Sequence, residues 1–183
     1  MLELRRKIFH IVSILLLSIP VLFFPYLLTI LLFLLGIITN LLIVVRYEPL
    51  MKLFGFLIEL FERERNLKTP AIQSLYALTG VFLSYILFGK YAVYGIVVLA
   101  IGDGFSGLIG YYFGKNKLPY NPNKSVEGTL AFFFSSFLAL LIFTHPIKAF
   151  TISFICAMLE SLDLKLDDNF LIPVTASFLG KVL

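Results

Sequence analysis

The chain has 183 residues, of which 60% are hydrophobic and only 14% are charged, with a formal net charge of +4. Soluble domains are about 45–50% apolar and about 25% charged, so this composition excludes an ordinary soluble domain and points to a lipid bilayer as the solvent. Too few residues lie outside the apolar runs to form a separate catalytic domain, so any chemistry must come from helix ends and short loops.

Apolar runs follow one another from near the N-terminus to the C-terminus. They predict an all-α fold, a polytopic transmembrane helix bundle with about seven spans in a single integral membrane domain, residues 1–183. The spans are expected at 8–24, 26–45, 71–89, 91–113, 127–144, 146–160 and 169–183. The last two runs are short, which leaves open whether they cross fully. The first run could instead be a signal peptide, but no small-residue cleavage pattern follows it.

The distribution of basic residues predicts the orientation of the chain. With the N-terminus in the cytoplasm, all but three of the 15 lysines and arginines fall on the cytoplasmic side, the exceptions being Lys90, Lys148 and Lys181. We therefore expect an integral membrane protein, in the plasma membrane of a prokaryote, with membrane lipids around it. This topology explains the positive charge without a nucleic-acid partner.

The segment 47–68 differs from the spans because it is amphipathic. Its apolar residues recur at helical spacing and charged residues lie between them, the apolar set being Leu50, Leu53, Phe54, Leu57, Ile58 and Phe61. This pattern predicts a helix that lies on the cytoplasmic surface or packs on the bundle. Whether it is a connector or covers a site stays open.

Asp103 is the sharpest polar feature, since it lies within an apolar run. A carboxylate there costs several kcal/mol unless it is paired, hydrated or bound to metal, which makes it a functional candidate, although a structural Asp bonding a neighbouring helix is the alternative. The flanking Gly102 and Gly104 would let a ligand or backbone approach closely. With Gly107 they spell G-x-G-x-x-G, but no strand–turn–helix unit surrounds them, so a dinucleotide site is rejected.

A second candidate is the loop 115–129, KNKLPYNPNKSVEGT. Its two prolines exclude a helix, and Ser125 stands where an N-cap should precede the fifth span. A helix start with free N–H groups, a hydroxyl and Lys124 favours phosphate binding, and Glu127 could hold Mg²⁺ beside phosphate oxygens. The simpler alternative is a capped span with lysines on the cytoplasmic side.

Two further groups lie on the same predicted face. A late acidic stretch, Glu160, Asp163, Asp167 and Asp168 with Asn169, could bind a hard cation. Glu160, Asp163 and Asp167 would share one helix face if their segment is helical. Arg6, Lys7 and His10 lie at the start of the first span and could bind phosphate or position a reacting group. Solvated loop acids and interfacial anchoring are the respective alternatives. Cations and carboxylates on one face, beside lipid, favour a nucleotide-polyphosphate enzyme that acts on a lipid head group.

At these residues the chain resembles the dolichol kinase and phytol kinase family of CTP-dependent polyprenol kinases. The resemblance covers most of the chain in order and rests on Arg6-Lys7-x-x-His10, Glu62-Arg63, Gly102-Asp103-Gly104 with Gly110 and Gly114, Lys124-Ser125-x-Glu127-Gly128-Thr129, Glu160, Asp168-Asn169 and Pro173. It implies transfer of the γ-phosphoryl group of CTP to an isoprenoid alcohol of the polyprenol, dolichol, phytol or geranylgeraniol type, with Mg²⁺. Residue chemistry alone does not select CTP over ATP, nor the alcohol or the oligomeric state.

The resemblance implies three groups of site residues. The catalytic candidates are Asp103, His10 and Lys124. The nucleotide- and phosphate-binding candidates are Arg6, Lys7, Lys124, Ser125, Gly128, Thr129, Gly102 and Gly104. The metal candidates are Asp103, Glu127, Glu160, Asp168 and Asn169.

Two other functions stay open at this point. A CTP:lipid cytidylyltransferase would use similar acids and a basic loop but transfer CMP. A small ion-coupled transporter would use Asp103 and Glu160 as intramembrane ligands.

Overall fold

The computed structural model describes residues 2–62 and 68–183, and most of them lie in helices. The helices are α1 Leu2–Leu16, α2 Ser18–Phe23, α3 Tyr26–Val44, α4 Glu48–Phe61, α5 Ile72–Phe88, α6 Ala92–Val97, α7 Gly104–Phe113, α8 Val126–Leu140, α9 Pro146–Ser161 and α10 Asp168–Val182. The all-α prediction is therefore confirmed. Arg63 and Arg65, which the sequence assigned to the amphipathic segment, lie outside the described residues.

Within the described ranges, three helical stretches are long and apolar enough to cross a membrane: Glu3–Phe23, Tyr26–Val44 and Ile72–Phe113. The last has 42 residues, about twice the length that one crossing requires. Helix α8 is apolar but shorter. Every apolar run predicted from the sequence lies on helix, while the count of seven crossings and the cytoplasmic position of α4 stay predictions.

The core extends over most of the helices, and α10 packs within it against α5, α6 and α9. Small residues allow this close packing. A Cβ at Gly80 would lie 2.8 Å from the carbonyl oxygen of Phe170, so only glycine lets α5 approach the start of α10 so closely. This packing fixes the end of α10 that carries Asp168.

Asp103 ends a π-helical segment, Val98–Asp103, inserted between α6 and α7. Such widened turns are rare and occur frequently at functional sites. Side chains from neighbouring helices contact the carbonyls of this segment: Lys7 donates to Asp103 O at 3.1 Å, and Ser135 donates to Ile101 O at 3.4 Å. The segment therefore joins α1, α7 and α8 around Asp103.

The loop predicted at 115–129 contains a short antiparallel hairpin that the sequence did not indicate. Its strands are β1 Lys117–Leu118 and β2 Asn121–Ser125. Buried Asn121 fixes the hairpin to the end of α9, because its side-chain amide donates to Ser161 O at 3.1 Å. The hairpin thus holds Lys124 over the bundle rather than in a mobile loop.

The prediction that Ser125 caps the fifth apolar helix is confirmed: its Oγ accepts the Gly128 N–H at 3.2 Å. The single helix on which Glu160, Asp163 and Asp167 would share one face does not form. Helix α9 ends at Ser161 and α10 begins at Asp168, and Asp163 is exposed between them. Asp167 instead caps α10 by accepting the Asn169 N–H at 2.9 Å.

The Ser125 cap gives a stability prediction. Ser125→Ala should lower the free energy of unfolding by about 1 kcal/mol, because it leaves the Gly128 N–H without its acceptor. Reversible denaturation in mixed detergent micelles measures the change. Thr151→Ala is the control, since the Thr151 hydroxyl bonds only the carbonyl of Ile147 in its own helix. An equal loss in both variants would contradict a capping role.

Candidate active site

A polar cavity of about 560 Å³ opens between α1, α7, the hairpin, α8 and the start of α10. Four basic and four acidic side chains line it: Arg6, Lys7, Lys117, Lys124, Asp103, Glu160, Asp167 and Asp168. Residues far apart in the sequence therefore converge, as expected if each polar group lies at one end of the bundle. Two charge clusters organise the cavity.

The first cluster joins α1 to Asp103. Lys7 Nζ lies 2.8 Å from Asp103 Oδ2, and His10 Nε2 lies 3.2 Å from the same oxygen. Lys7 is buried, and it reaches Asp103 by passing Gly107, where any Cβ would collide with the lysine side chain. Because Nε2 faces the carboxylate, the neutral imidazole carries its proton there and leaves Nδ1 as an acceptor.

The second cluster joins the hairpin to α9 and α10. Lys124 Nζ bonds Glu160 Oε1 at 2.6 Å and Asp168 Oδ2 at 2.9 Å. Ser106 of α7 donates to the same Glu160 oxygen at 2.9 Å. Glu160 is only 2% exposed, and a carboxylate at that depth requires such partners.

The charge states of the second cluster follow from these contacts. Burial alone would lower the pKa of Lys124, but the facing carboxylates of Glu160 and Asp168 raise it above its ordinary value. At Asp168 burial raises the pKa of the carboxyl, and the opposing effect of Lys124 does not cancel it. Lys124 is therefore a permanent cation, and the Asp168 carboxyl takes up a proton more readily than a solvent-exposed aspartate does.

Two residues that line this cavity each carry a buried side-chain oxygen with no hydrogen-bond partner among the described residues, Glu160 Oε2 and Thr129 Oγ1. Buried polar atoms almost always have partners, so an unpartnered pair at one cavity needs an explanation. The carboxylate oxygen requires a donor or a cation, and the hydroxyl can donate to an acceptor. A bound ligand that offers both would satisfy the two atoms.

Some predicted site residues lie elsewhere. Gly102 and Gly104 do not line the cavity, because they pack against Phe132 and Ile11. Glu127 is also absent from the lining, since its carboxylate accepts bonds from Asn116, the shortest being 2.7 Å. These three residues therefore lie outside the cavity.

The helix start after Ser125 offers fewer free donors than the sequence predicted. The Val126 N–H donates to Asn116 O at 2.9 Å, and the Gly128 N–H is used by the cap. Phosphate binding here would therefore depend on lysines and the Thr129 hydroxyl more than on free backbone N–H groups. The remaining predicted residues, Arg6, Ser125, Gly128 and Asn169, line the cavity.

Other lining residues were not selected from the sequence. Gln73, Lys117 and Asn123 line the cavity together with Tyr111. Gln73 follows the end of the amphipathic segment, and only the packing of α5 against α10 brings it to the site. In the sequence these residues resemble ordinary loop and interfacial positions, so no local signal identified them.

The carboxylates fit a hard divalent cation without forming a dedicated cage. Mg²⁺ takes oxygen ligands and is usually held by one or two carboxylates together with substrate phosphates. Lys124 bonds both Glu160 and Asp168, so these two carboxylates lie close together. Oε2 of Glu160 has no hydrogen-bond partner among the described residues and is available as an oxygen ligand. In residues 2–62 and 68–183, no group of three or more His, Cys, Asp or Glu side chains is arranged to hold a metal ion.

Comparison with known proteins confirms the predicted resemblance, because the curated relatives of this chain include phytol kinases and a farnesol kinase of the polyprenol kinase family. The chain is 31% identical to a probable chloroplastic phytol kinase 2 of Oryza sativa over 126 residues, 59% of this chain and 41% of that protein. It is 30% identical to a chloroplastic farnesol kinase of Arabidopsis thaliana over 138 residues, 67% of this chain and 45% of that protein.

An uncharacterized protein from Methanocaldococcus jannaschii is 36% identical over 127 residues, 67% of this chain and 63% of that protein. The chain thus spans less than half of the length of the two plant kinases. No family model matches the chain. No solved structure matches it.

Proposed function

We propose that this protein is a membrane-embedded isoprenoid alcohol kinase that transfers the γ-phosphoryl group of CTP to the alcohol, giving an isoprenyl monophosphate. The observation that carries the proposal is the cavity in which buried Lys7 and half-buried Lys124 face Asp103, Glu160 and Asp168. Glu160 Oε2 and Thr129 Oγ1 lie beside them without a hydrogen-bond partner among the described residues. Such charges suit a polyphosphate and a divalent cation. The named activities of the relatives support the isoprenoid acceptor, and the family resemblance supplies CTP.

Phosphoryl transfer depends mainly on positioning and on neutralising charge. Lys124 and Lys7 would neutralise phosphate oxygens, and the Thr129 hydroxyl would donate to one of them. The bond between the γ-phosphorus and the bridging β–γ oxygen breaks, a bond to the alcohol oxygen forms, and CDP leaves. The hydroxyl proton passes to His10 Nδ1, while Asp103 holds the ring through Nε2.

Mg²⁺ would be held by Glu160 and Asp168, with Asn169 alongside, and it would neutralise charge that develops on the phosphates. The active site would face the cytoplasm, because that orientation places nearly all basic residues on the cytoplasmic side. CTP would then enter from the aqueous phase and the alcohol from the bilayer. Both substrates would meet at the same end of the bundle.

His10 gives a kinetic prediction. His10→Asn should lower kcat by about 10²- to 10⁴-fold, because Asn cannot accept the hydroxyl proton. It should also remove the acidic limb of the kcat/KM profile against pH, since a general base works only when deprotonated. Steady-state assays across pH measure both effects. A retained acidic limb would show that His10 is not the base.

The position of the isotope in the product tests the function itself. Purified protein in nanodiscs receives Mg²⁺, farnesol, phytol or geranylgeraniol, and CTP labelled at the α- or γ-phosphate. We expect lipid-bound label only from the γ-phosphate. Label from the α-phosphate would establish cytidylyl transfer instead. No transfer to any alcohol, together with ion-dependent uptake into vesicles, would establish transport.

A further inference from the structure

A second cavity, mainly apolar and about 320 Å³ in volume, adjoins the polar one. It lies between α1, α3, α4 and α5, and its apolar walls include Phe9, Ile14, Ile43, Phe54, Leu57 and Phe61. Three residues line both cavities: Arg6, His10 and Gln73. The apolar cavity therefore meets the polar cavity at the imidazole beside Asp103.

Helix α4 forms one wall of this apolar cavity and is joined to its neighbours at its C-terminal end. The Phe61 ring stacks on the Phe9 ring of α1, with centroids 4.2 Å apart and planes 12° apart. The Glu62 carboxylate accepts the Ala71 N–H at 3.1 Å, just before α5. Of the two roles that the sequence left open for the amphipathic segment, these contacts favour covering a site.

We infer that this cavity, hereafter the prenyl groove, holds the isoprenoid chain of the acceptor and places its hydroxyl beside His10. The inference rests on the proposed function and adds the location of the lipid. The groove continues into the polar cavity, so its occupant needs an apolar chain with a reactive polar end. Its volume suits one chain rather than the two chains of a phospholipid.

Matched substitutions on α3 separate the groove from the lipid-facing surface. Thr39 lines the groove, whereas its neighbour Ile38 does not and is 55% exposed. Thr39→Phe would therefore fill the groove, while Ile38→Phe adds the same ring outside it. Ser74→Phe, at an exposed lining position of α5, is a second filling variant that does not depend on packing inside the bundle.

The experiment uses the full chain in nanodiscs and geranylgeraniol carrying a diazirine on its chain. For the wild type and Ile38→Phe, we expect saturable labelling of α3 and α4, with competition by unlabelled geranylgeraniol. Thr39→Phe and Ser74→Phe should lose this labelling and raise the KM for geranylgeraniol about tenfold or more. The KM for CTP should stay unchanged in all three variants.

Each contrary outcome has a distinct meaning. Labelling that is equal in all variants, or that unlabelled geranylgeraniol does not displace, would overturn the groove and indicate bulk lipid contact. γ-Phosphoryl transfer with an unchanged KM for geranylgeraniol in both filling variants would also overturn the prenyl groove, without contradicting the proposed kinase activity. Saturable groove labelling in a protein that transfers no phosphate would overturn the kinase while supporting a lipid site.

Discussion

Asp103→Asn is expected to lower kcat by about a thousandfold while the protein stays folded. Asp103 Oδ2 bonds both Lys7 and His10, so the neutral amide removes the charge that orients the imidazole and balances the buried lysine. The fold should tolerate the change, because Lys7 keeps its bond to the Asp103 carbonyl at 3.1 Å. Phosphate transfer measures kcat, and circular dichroism with thermal unfolding checks the fold.

Asp163→Asn is the matched control, since Asp163 is exposed and lies outside the cavity lining. It should keep activity near that of the wild type. A folded Asp103→Asn variant with near-normal kcat would contradict the role given to the Lys7–Asp103–His10 cluster.

Glu160→Gln is expected to lower kcat by about 10²- to 10³-fold and to raise the Mg²⁺ concentration required for half-maximal rate. The amide keeps an oxygen for Ser106 and Lys124 but removes the charge and the carboxylate oxygen offered to a cation. Asp168 still pairs with Lys124, so the hairpin should stay in place. Rates across a Mg²⁺ titration measure both effects.

Glu127→Gln is the control for Glu160, because both residues were metal candidates from the sequence. The Glu127 carboxylate bonds Asn116 outside the cavity lining, so its substitution should leave the Mg²⁺ dependence unchanged. If Glu127→Gln shifts the Mg²⁺ dependence and Glu160→Gln does not, the assignment of the second cluster is wrong.

Composition and local patterns were sufficient to predict the helices and many of the residues that line the polar cavity. An apolar chain must bury its backbone polar groups in helices, and a charge inside an apolar run stands out at Asp103. The Ser125 cap was also predictable, because capping depends on residues within one turn.

Long-range packing was not predictable in the same way. Asn121 is an ordinary turn residue in the sequence, and only its bond to Ser161 reveals that the hairpin is anchored. The end of α9 at Ser161 separated Asp163 from Glu160, although their spacing suits one helix. Glu127 was a metal candidate because its carboxylate lies at the predicted phosphate-binding helix start. Its bonds with Asn116, however, hold it outside the cavity.

A structure of the protein with the β,γ-methylene analogue of CTP, Mg²⁺ and farnesol would test the central claim most directly. We expect phosphate oxygens at Lys7 and Lys124, Mg²⁺ at Glu160 and Asp168, and the farnesol hydroxyl beside His10 with its chain under α4. A nucleotide bound away from the polar cavity, or farnesol that reaches the phosphates without passing His10, would contradict the account.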